Sequence, residues 1–314
     1  MNQLKVCFVG VGSIAKRHIK NLTRICKEDN IDLTIDAVRR NGTKDADEIS
    51  YYINDIFSSP EELGSLYDAV FITNPTEYHL NALERVTPCG RNFFIEKPIV
   101  SLSQLESIKK YKKKEKAIYY VACPLRYNAV IQYIKNNINL DNVFAIRSMS
   151  SSYLPDWRPG QDYRNTYSAH KSMGGGVSID LIHEWDYLTF LFGKPINVNW
   201  MCGKKSNLEI DSEDYAIYIG EYQSKTVELH LDYFGRKTIR NIMLFTKDDT
   251  IVGDIANNKI TFLKSGKTID FNENRDDFQI RELRHFLEMI EGKCEQDSDI
   301  NHAIDVLKLT QGVL

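Results

Sequence analysis

Hydrophobic positions in the first third of the chain switch repeatedly between two periods. Residues 4–9, LKVCFV, are apolar apart from Lys5, which predicts a short buried strand. SIAKRHIKNLTRICK follows at once, with Ile14, Ile19, Leu22 and Ile25 at helical spacing. IDLTIDAV predicts a second strand and YDAVFITN a third, and TEYHLNALERVTPCG predicts a helix ending near Gly90. RNFFIEK predicts a fourth strand, SLSQLESIKKYKKKEK a helix opened by Ser101 or Ser103, and AIYYVAC a fifth strand. Strand and helix alternating every 20 to 30 residues or about that implies right-handed crossovers and a parallel, doubly wound sheet.

After Cys123 the pattern changes. A helix (RYNAVIQYIKNNI), a strand (NVFAIRSMSSSY), a long irregular stretch and one strong helix come first. Strand-like runs follow at 196–203, 214–222, 225–234, 238–246, 249–255 and 259–264. Their short turns, such as YQSKT and LKSGKT, predict a mainly antiparallel open sheet, closed by helices near 275–291 and 299–312. The expected fold class is α/β, with a doubly wound domain over residues 1–122 and an α+β domain over residues 123–314.

Composition narrows the ligand class. The 314 residues are 42% hydrophobic and 26% charged with a formal net charge of -3, so no global field marks nucleic acid or an anionic membrane as partner. Small molecules are the default ligand. The six cysteines (Cys7, Cys26, Cys89, Cys123, Cys202, Cys294) form no C-x-x-C pair, and no His cluster has metal spacing, so neither a zinc site nor a disulfide framework is readable. A reducing cytosol is the expected location. VCFVGVGSIA lacks the charged leader and cleavage site of a signal peptide, and no run approaches membrane-spanning length.

The stretch VGVGSIAKRH supplies the first candidate chemistry. Gly10, Gly12 and Ala15 stand between the first strand and first helix, the context that gives a G-x-G-x-x-A pattern meaning. Gly10 allows the tight turn, Gly12 lets a pyrophosphate approach the backbone, and Ala15 permits close packing of helix on strand. Amides at the helix start, at Ser13 and Ile14, face the negative charge. After the second strand, where an NAD site places Asp or Glu, the sequence has Arg39 and Arg40. A guanidinium suits a 2'-phosphate, which favours NADP, with NAD possible; the alternative is that both arginines are solvated surface charges.

TNPTEYH sets Thr73, Asn74, Pro75, Thr76 and His79 after the third strand, either lining a ribose and nicotinamide crevice or forming a plain loop with Thr76 as helix cap. FFIEKP places Glu96 and Lys97 at the end of the fourth strand, where a Lys beside a cofactor can orient a substrate hydroxyl and shift its proton affinity. An exposed Glu-Lys pair on a loop is the alternative.

Together G-x-G-x-x-A, N-P-T-x-x-x-H, E-K-P and GGGVSIDLIHEWD resemble the glucose-fructose oxidoreductase, inositol dehydrogenase and rhizopine-catabolism (Gfo/Idh/MocA) family over nearly the whole chain. The resemblance implies an N-terminal Rossmann domain, a C-terminal sheet domain for substrate binding and oligomerisation, and NAD(P)-dependent oxidation or reduction of sugars or sugar derivatives. It also implies Lys97 and His183 as the catalytic pair, and Arg126 and Tyr127 as substrate contacts. The family's usual spacing is Asp-x-x-x-His, whereas Asp180 and His183 are separated by only two residues here.

A continuous helix through this segment puts Leu181, Trp185, Leu188 and Phe192 on one face and Asp180, His183, Glu184 and Tyr187 on the other, facing either a substrate or solvent. Gly174, Gly175 and Gly176 let backbone approach a ligand. The preceding run YLPDWRPGQDYRNTYSAHKSMGGG is expected to be structureless. Its Arg158, Asp162, Tyr163 and Arg164 either reach over a pocket, the arginines favouring a carboxylate or phosphate, or merely keep a surface loop solvated.

The sequence as a whole predicts a cytoplasmic NADP(H)-dependent oxidoreductase acting on an acidic or nucleotide-linked sugar, assembled as a homodimer or homotetramer through the C-terminal sheet. Asp180 joins Lys97 and His183 as a catalytic candidate. Other classes are a non-catalytic cofactor-binding sensor, disfavoured because both Lys97 and His183 are present, and a nicotinamide-recycling glycosidase.

Overall fold

The apolar run at residues 4–9 becomes β1 (Gln3–Val9), and α1 (Ser13–Glu28) buries Ala15, Ile19, Leu22 and Ile25, together with His18. The computed structural model describes residues 1–40 and 48–314. β2 (Asp32–Val38), β3 (Ile56–Phe57), β4 (Ala69–Ile72), α2 (His79–Val86), β5 (Phe93–Ile95), α3 (Leu105–Ile108) and β6 (Tyr119–Val121) complete the first sheet. It is parallel throughout, in the order β3-β2-β1-β4-β5-β6. β3, only two residues long, has no counterpart in the hydrophobic pattern. The helix expected across residues 101–116 shrinks to a 3-10 turn and the four residues of α3. Its remainder, KKYKKKEK, crowds like charges at helical neighbour spacing and offers few apolar residues to bury.

The second sheet forms from α4 (Ala129–Asn137) onward. It comprises β7 (Val143–Tyr153), β8 (Asn197–Gly203), β9 (Tyr215–Glu221), β10 (Thr226–Asp232), β11 (Phe234–Thr246), β12 (Thr250–Asp254), β13 (Lys259–Phe262) and β14 (Thr268–Asp270). Between β7 and β8 lie α5 (Val177–Asp180) and α6 (His183–Phe192). The order is β14-β13-β12-β11-β7-β10-β9-β8, antiparallel except where β7 meets β10. One face is buried through Ile146, Tyr218, Leu229, Ile242 and Leu244, with Trp185 of α6 edge-on to Tyr218 at 5.4 Å. On the other face Met149, Met201, Ile217, Ile219 and Met243 are half-buried or exposed beside an Arg147–Glu228 ion pair of 2.8 Å.

α7 (Asp277–Ile290) and α8 (Ile300–Leu309) end the chain. Two compact units result: Met1–Ala122 with Arg275–Ile304, and Cys123–Asn274 with Asp305–Leu314. In the first, Phe286 of α7 packs against Phe71, Phe94 and Tyr120 at ring distances of 5.9, 5.3 and 5.8 Å. Val121 N–H donates to Ser298 O at 2.9 Å, so the outer edge of β6 is closed by the segment before α8. Among the described residues no helix is long and apolar enough to cross a membrane.

Candidate functional site

β1, β4 and β5 are neighbouring parallel strands, so the loops leaving their carboxyl ends lie side by side. The strand order reverses between β1 and β4, the point at which doubly wound sheets admit ligands. Gly10 has φ +88, and a Cβ there would stand 2.8 Å from Asn74 Cα, so only glycine fits between these two loops. Thr73 Oγ1 donates to Gly10 O at 2.7 Å, which spends the Thr73 side chain on holding the turn. Gly12 is the opposite case: a Cβ there meets nothing within 4 Å. The first turn of α1 has no acidic residue and no side-chain cap, and Ser13 is exposed, so its amides are suited to an anion. Ala15 is fully buried, bringing α1 close onto the sheet.

After β4, Asn74 Oδ1 is buried without a hydrogen-bond partner, an acceptor that a ligand hydroxyl or amide would satisfy. Pro75 is exposed and Thr76 opens a short 3-10 turn; the N-cap of α2 is Tyr78, so Thr76 does not cap that helix. His79 is buried rather than facing the crevice. Its Nε2 lies 2.8 Å from Asn74 O and its Nδ1 3.1 Å from Pro98 O, so it ties the β4 loop to the β5 loop, and burial lowers its pKa.

Glu96 and Lys97 follow β5. Glu96 Oε1 lies 2.6 Å from Nε2 of His18, a residue on the buried face of α1 that no motif singled out. Burial alone would raise the Glu96 pKa; the hydrogen bond and charge of His18, aided by Lys97 and His79, hold it below the usual carboxylate range. Lys97 is half-buried, its N–H donates to Glu96 Oε2 at 3.3 Å, and its peptide bond to Pro98 is cis. An anchored carboxylate thus precedes the lysine in the chain.

At the end of β2, Arg39 is half-buried and Arg40 exposed, and Arg40 is near enough to act electrostatically on the Tyr78 hydroxyl. Asp36, the nearest preceding carboxylate, is buried and accepts from Tyr67 at 2.8 Å and from the Asp55 amide at 3.2 Å. It belongs to the core.

In the second unit the predicted single helix is two. α5 ends at Asp180, Leu181 (φ -98, ψ 27) breaks the repeat, and α6 starts at His183. Nor is the expected polar face solvated. Glu184 and Tyr187 are fully buried, Glu184 2.9 Å from Arg240 Nε and Tyr187 bonded to Ser148 Oγ at 2.6 Å. Burial raises the Glu184 pKa against the opposing charge of Arg240. His183 remains half-buried at the start of α6.

Asp180 accepts a 2.6 Å hydrogen bond from Tyr233. Burial and then the Asp180 charge push the Tyr167 and Tyr233 hydroxyls above their ordinary pKa, and the Arg158 guanidinium lies 5.2 Å from the Tyr167 ring centroid. Tyr167 and Tyr233 were not legible as site candidates. Gly175 is required by the close approach of the Tyr167 and Ser168 carbonyls, and Gly176 by its φ of +137.

Several substrate candidates are engaged elsewhere. Arg126 is buried and paired with Asp186 through two hydrogen bonds of 2.8 Å, with Phe190 under the guanidinium. Tyr127 is buried beside it in sequence. Arg164 pairs with Asp162 at 2.8 Å and Glu209 at 2.7 Å on the surface, so its charge is neutralised, and Tyr163 Oη accepts from the Glu209 amide. The loop itself is not structureless: 3-10 turns occupy Leu154–Asp156, Tyr163–Asn165, Tyr167–Ala169 and Lys171–Met173.

Residues 4–123 match the model of an oxidoreductase family with an NAD-binding Rossmann fold, and residues 140–314 match the same family's C-terminal alpha/beta domain. The chain belongs to this Gfo/Idh/MocA oxidoreductase family. It is 24% identical over 325 residues to a scyllo-inositol 2-dehydrogenase (NAD(+)) of Bacillus subtilis, covering 97% of this chain and 92% of that one. An uncharacterised oxidoreductase of the same organism is 23% identical over 200 residues, 62% of this chain and 55% of that protein's length. The solved UDP-N-acetylglucosamine 3-dehydrogenase of Acidithiobacillus ferrooxidans shares the fold, with a TM-score of 0.79, 19% identity and coverage of 100% and 97%.

As a Gfo/Idh/MocA oxidoreductase the protein has a nicotinamide cofactor domain, and the residues present fit that group. The space in front of Gly12, the uncapped start of α1 and the orphaned Asn74 Oδ1 all lie along one sheet edge.

Proposed function

We propose that the protein is an NADP(H)-dependent dehydrogenase or reductase that acts on a CH–OH group of a sugar derivative carrying an acidic or nucleotide-linked group. The observation that carries this reading is the placement of Lys97 at the carboxyl end of β5, on the same edge as the Gly10–Gly12 turn and next to the loop of Asn74. The backbone amides at Ser13 and Ile14 would hold the pyrophosphate, Asn74 the ribose or amide, and Arg40, with Arg39, the 2'-phosphate. Residues 1–122, completed by 275–304, thereby serve the cofactor, and residues 123–274 with 305–314 the substrate and self-association.

The bound nicotinamide supplies a hydride acceptor in oxidation and a hydride donor in reduction. Lys97 points its charge at the reacting oxygen, stabilising negative charge there and lowering the hydroxyl's proton affinity. His183 takes that proton in oxidation and returns it in reduction, a role suited to imidazole near neutral pH. Asp180, tied to Tyr233, supports the substrate or the imidazole. Arg158 over Tyr167 is the favoured contact for an anionic substrate group, since Arg164 is already neutralised. The apolar outer face of the eight-stranded sheet supports assembly as a homodimer or homotetramer.

A screen of free, acidic and nucleotide-linked sugars, followed at the reduced-nicotinamide absorbance with each cofactor, tests the reading. Turnover with an acidic or nucleotide-linked sugar is the expected result. Tight NADP binding without turnover on any of them would instead mark a sensor.

A further inference from the structure

The C-terminal end of α7 folds back on itself. Gly292 adopts φ +70, the Gly292 amide donates to Met289 O at 3.0 Å, and the Lys293 amide donates to Glu288 O at 2.9 Å. This reversal returns Cys294 to the helix, with Sγ 3.7 Å from His285 Nδ1. His285 and Glu288 are neighbours at helical i,i+3 spacing, so both face the returning cysteine. One ligand atom from each of the three lies within 4.8 Å of the other two, and among the described residues no other trio of His, Cys, Asp or Glu converges in this way.

The geometry points to a divalent metal site of the zinc type, with His285 Nδ1, Glu288 and Cys294 Sγ as ligands and water in the fourth position. Tetrahedral zinc with bonds of about 2.3 Å to sulfur and about 2.0 Å to nitrogen separates those atoms by roughly 3.5 Å. The observed 3.7 Å already meets that spacing without backbone movement. Glu288 is exposed on the helix surface, so its carboxylate can close the remaining gap by rotation. Sulfur and imidazole select zinc, cobalt or a similar ion over magnesium or calcium.

A supporting feature lies behind the imidazole. Asp297 Oδ1 is 3.3 Å from His285 Nε2, near enough that a small rotation of the ring would let Nε2–H donate to it, as carboxylates do behind metal-bound histidines. Burial, followed by the charges of Glu288 and Asp297, raises the Cys294 pKa, and a dication reverses that electrostatic balance. The spacing H-x-x-E-x5-C matches no common zinc pattern, and only the helix reversal brings it together. Ser298, which closes the edge of β6, stands just beyond Cys294, so the ion would fix the turn leading to it.

The test uses the full-length reduced protein after chelator treatment, titrated with Co2+ and then Zn2+. One equivalent of Co2+ should produce a thiolate-to-cobalt charge-transfer band that Zn2+ abolishes. Cys294→Ser should lose the band, whereas Cys202→Ser, which alters an exposed cysteine on β8, should keep it. His285→Ala should reduce Co2+ affinity at least tenfold, and Asp297→Asn should weaken Zn2+ binding by about 10- to 100-fold at unchanged stoichiometry. Zn2+ should also slow alkylation of Cys294 in the wild type, measured by mass spectrometry of the labelled peptide. No charge-transfer band in the wild type, or a band that survives Cys294→Ser, overturns the site and leaves Cys294 and His285 as a simple thiol-imidazole contact.

Discussion

His18 Nε2 lies 2.6 Å from Glu96 Oε1, joining the buried face of α1 to the residue that precedes Lys97. The Glu96 pKa in the folded chain is below its ordinary 4.5, because the partners of the carboxylate outweigh the opposing effect of burial. Its stabilisation is therefore complete above the unfolded value and is lost as pH falls through the lower, folded one. Wild type should accordingly lose stability more steeply than Glu96→Gln as pH drops below about 4.5, the region where an unfolded Glu titrates. Glu96→Ala leaves His18 buried beside a void and should cost about 3 kcal/mol at neutral pH. Thermal midpoints recorded across the acid range decide the matter; parallel curves for wild type and Glu96→Gln would contradict it.

Arg40→Ala should weaken NADP binding by about tenfold or more while changing NAD affinity little, because a charge-assisted contact to phosphate is worth roughly 1.5 to 3 kcal/mol. Fluorescence titration of both cofactors measures this. Equal affinities for NADP and NAD in the wild type would reject the NADP preference.

Lys97→Ala should lower turnover about 10²-fold or more, with cofactor affinity nearly unchanged, since the role proposed for Lys97 is to stabilise charge at the reacting oxygen. His183→Asn should remove the neutral-range ionisation from the pH dependence of turnover. Asp180→Asn retains an acceptor for Tyr233 and should lower the rate while leaving a displaced ionisation visible. Near-normal activity in His183→Asn with an unchanged pH profile would move the search for the proton-transfer group to Tyr163 or His170.

Arg126→Ala should act on stability rather than on substrate affinity. The guanidinium is buried and bonded twice to Asp186, and removing it takes both hydrogen bonds and the opposing charge from a carboxylate that is itself nearly buried, at a cost of about 3 to 5 kcal/mol. All three tryptophans (Trp157, Trp185 and Trp200) lie in the same compact unit as this pair, so urea unfolding followed by tryptophan fluorescence reports on it directly. A rise in KM at unchanged unfolding midpoint would restore Arg126 to substrate recognition.

The parallel sheet was legible because β4, β5 and β6 are buried at every position and α1 repeats an apolar stripe through Ile19, Leu22 and Ile25, whereas the two half-buried residues of β3 left no pattern. The Gly10–Gly12 turn was legible because its spacing lies between one strand and one helix, although the close approach of Asn74 to Gly10 was not. Arg126, Glu184 and Tyr187 were harder, since sequence gives a residue's polarity but not the long-range partner that allows a polar group to be buried. His18 was hidden for the same reason: its partner Glu96 is 78 residues away in the chain. The break at Leu181 carries no glycine or proline, so helical periodicity runs straight across it.

The closure of β6 by Ser298 has a consequence for biosynthesis. Ser298 Oγ donates to Val121 O across a separation of 177 residues, and Phe286 covers Phe71, Phe94 and Tyr120 from the same returning segment. A nascent chain that has only just completed β6 therefore presents an open strand edge and an uncovered aromatic cluster to solvent. The cofactor-binding half is translated first yet stays incomplete until the ribosome has delivered α7 and the turn beyond it, and over that interval its open edge is available for pairing with other chains.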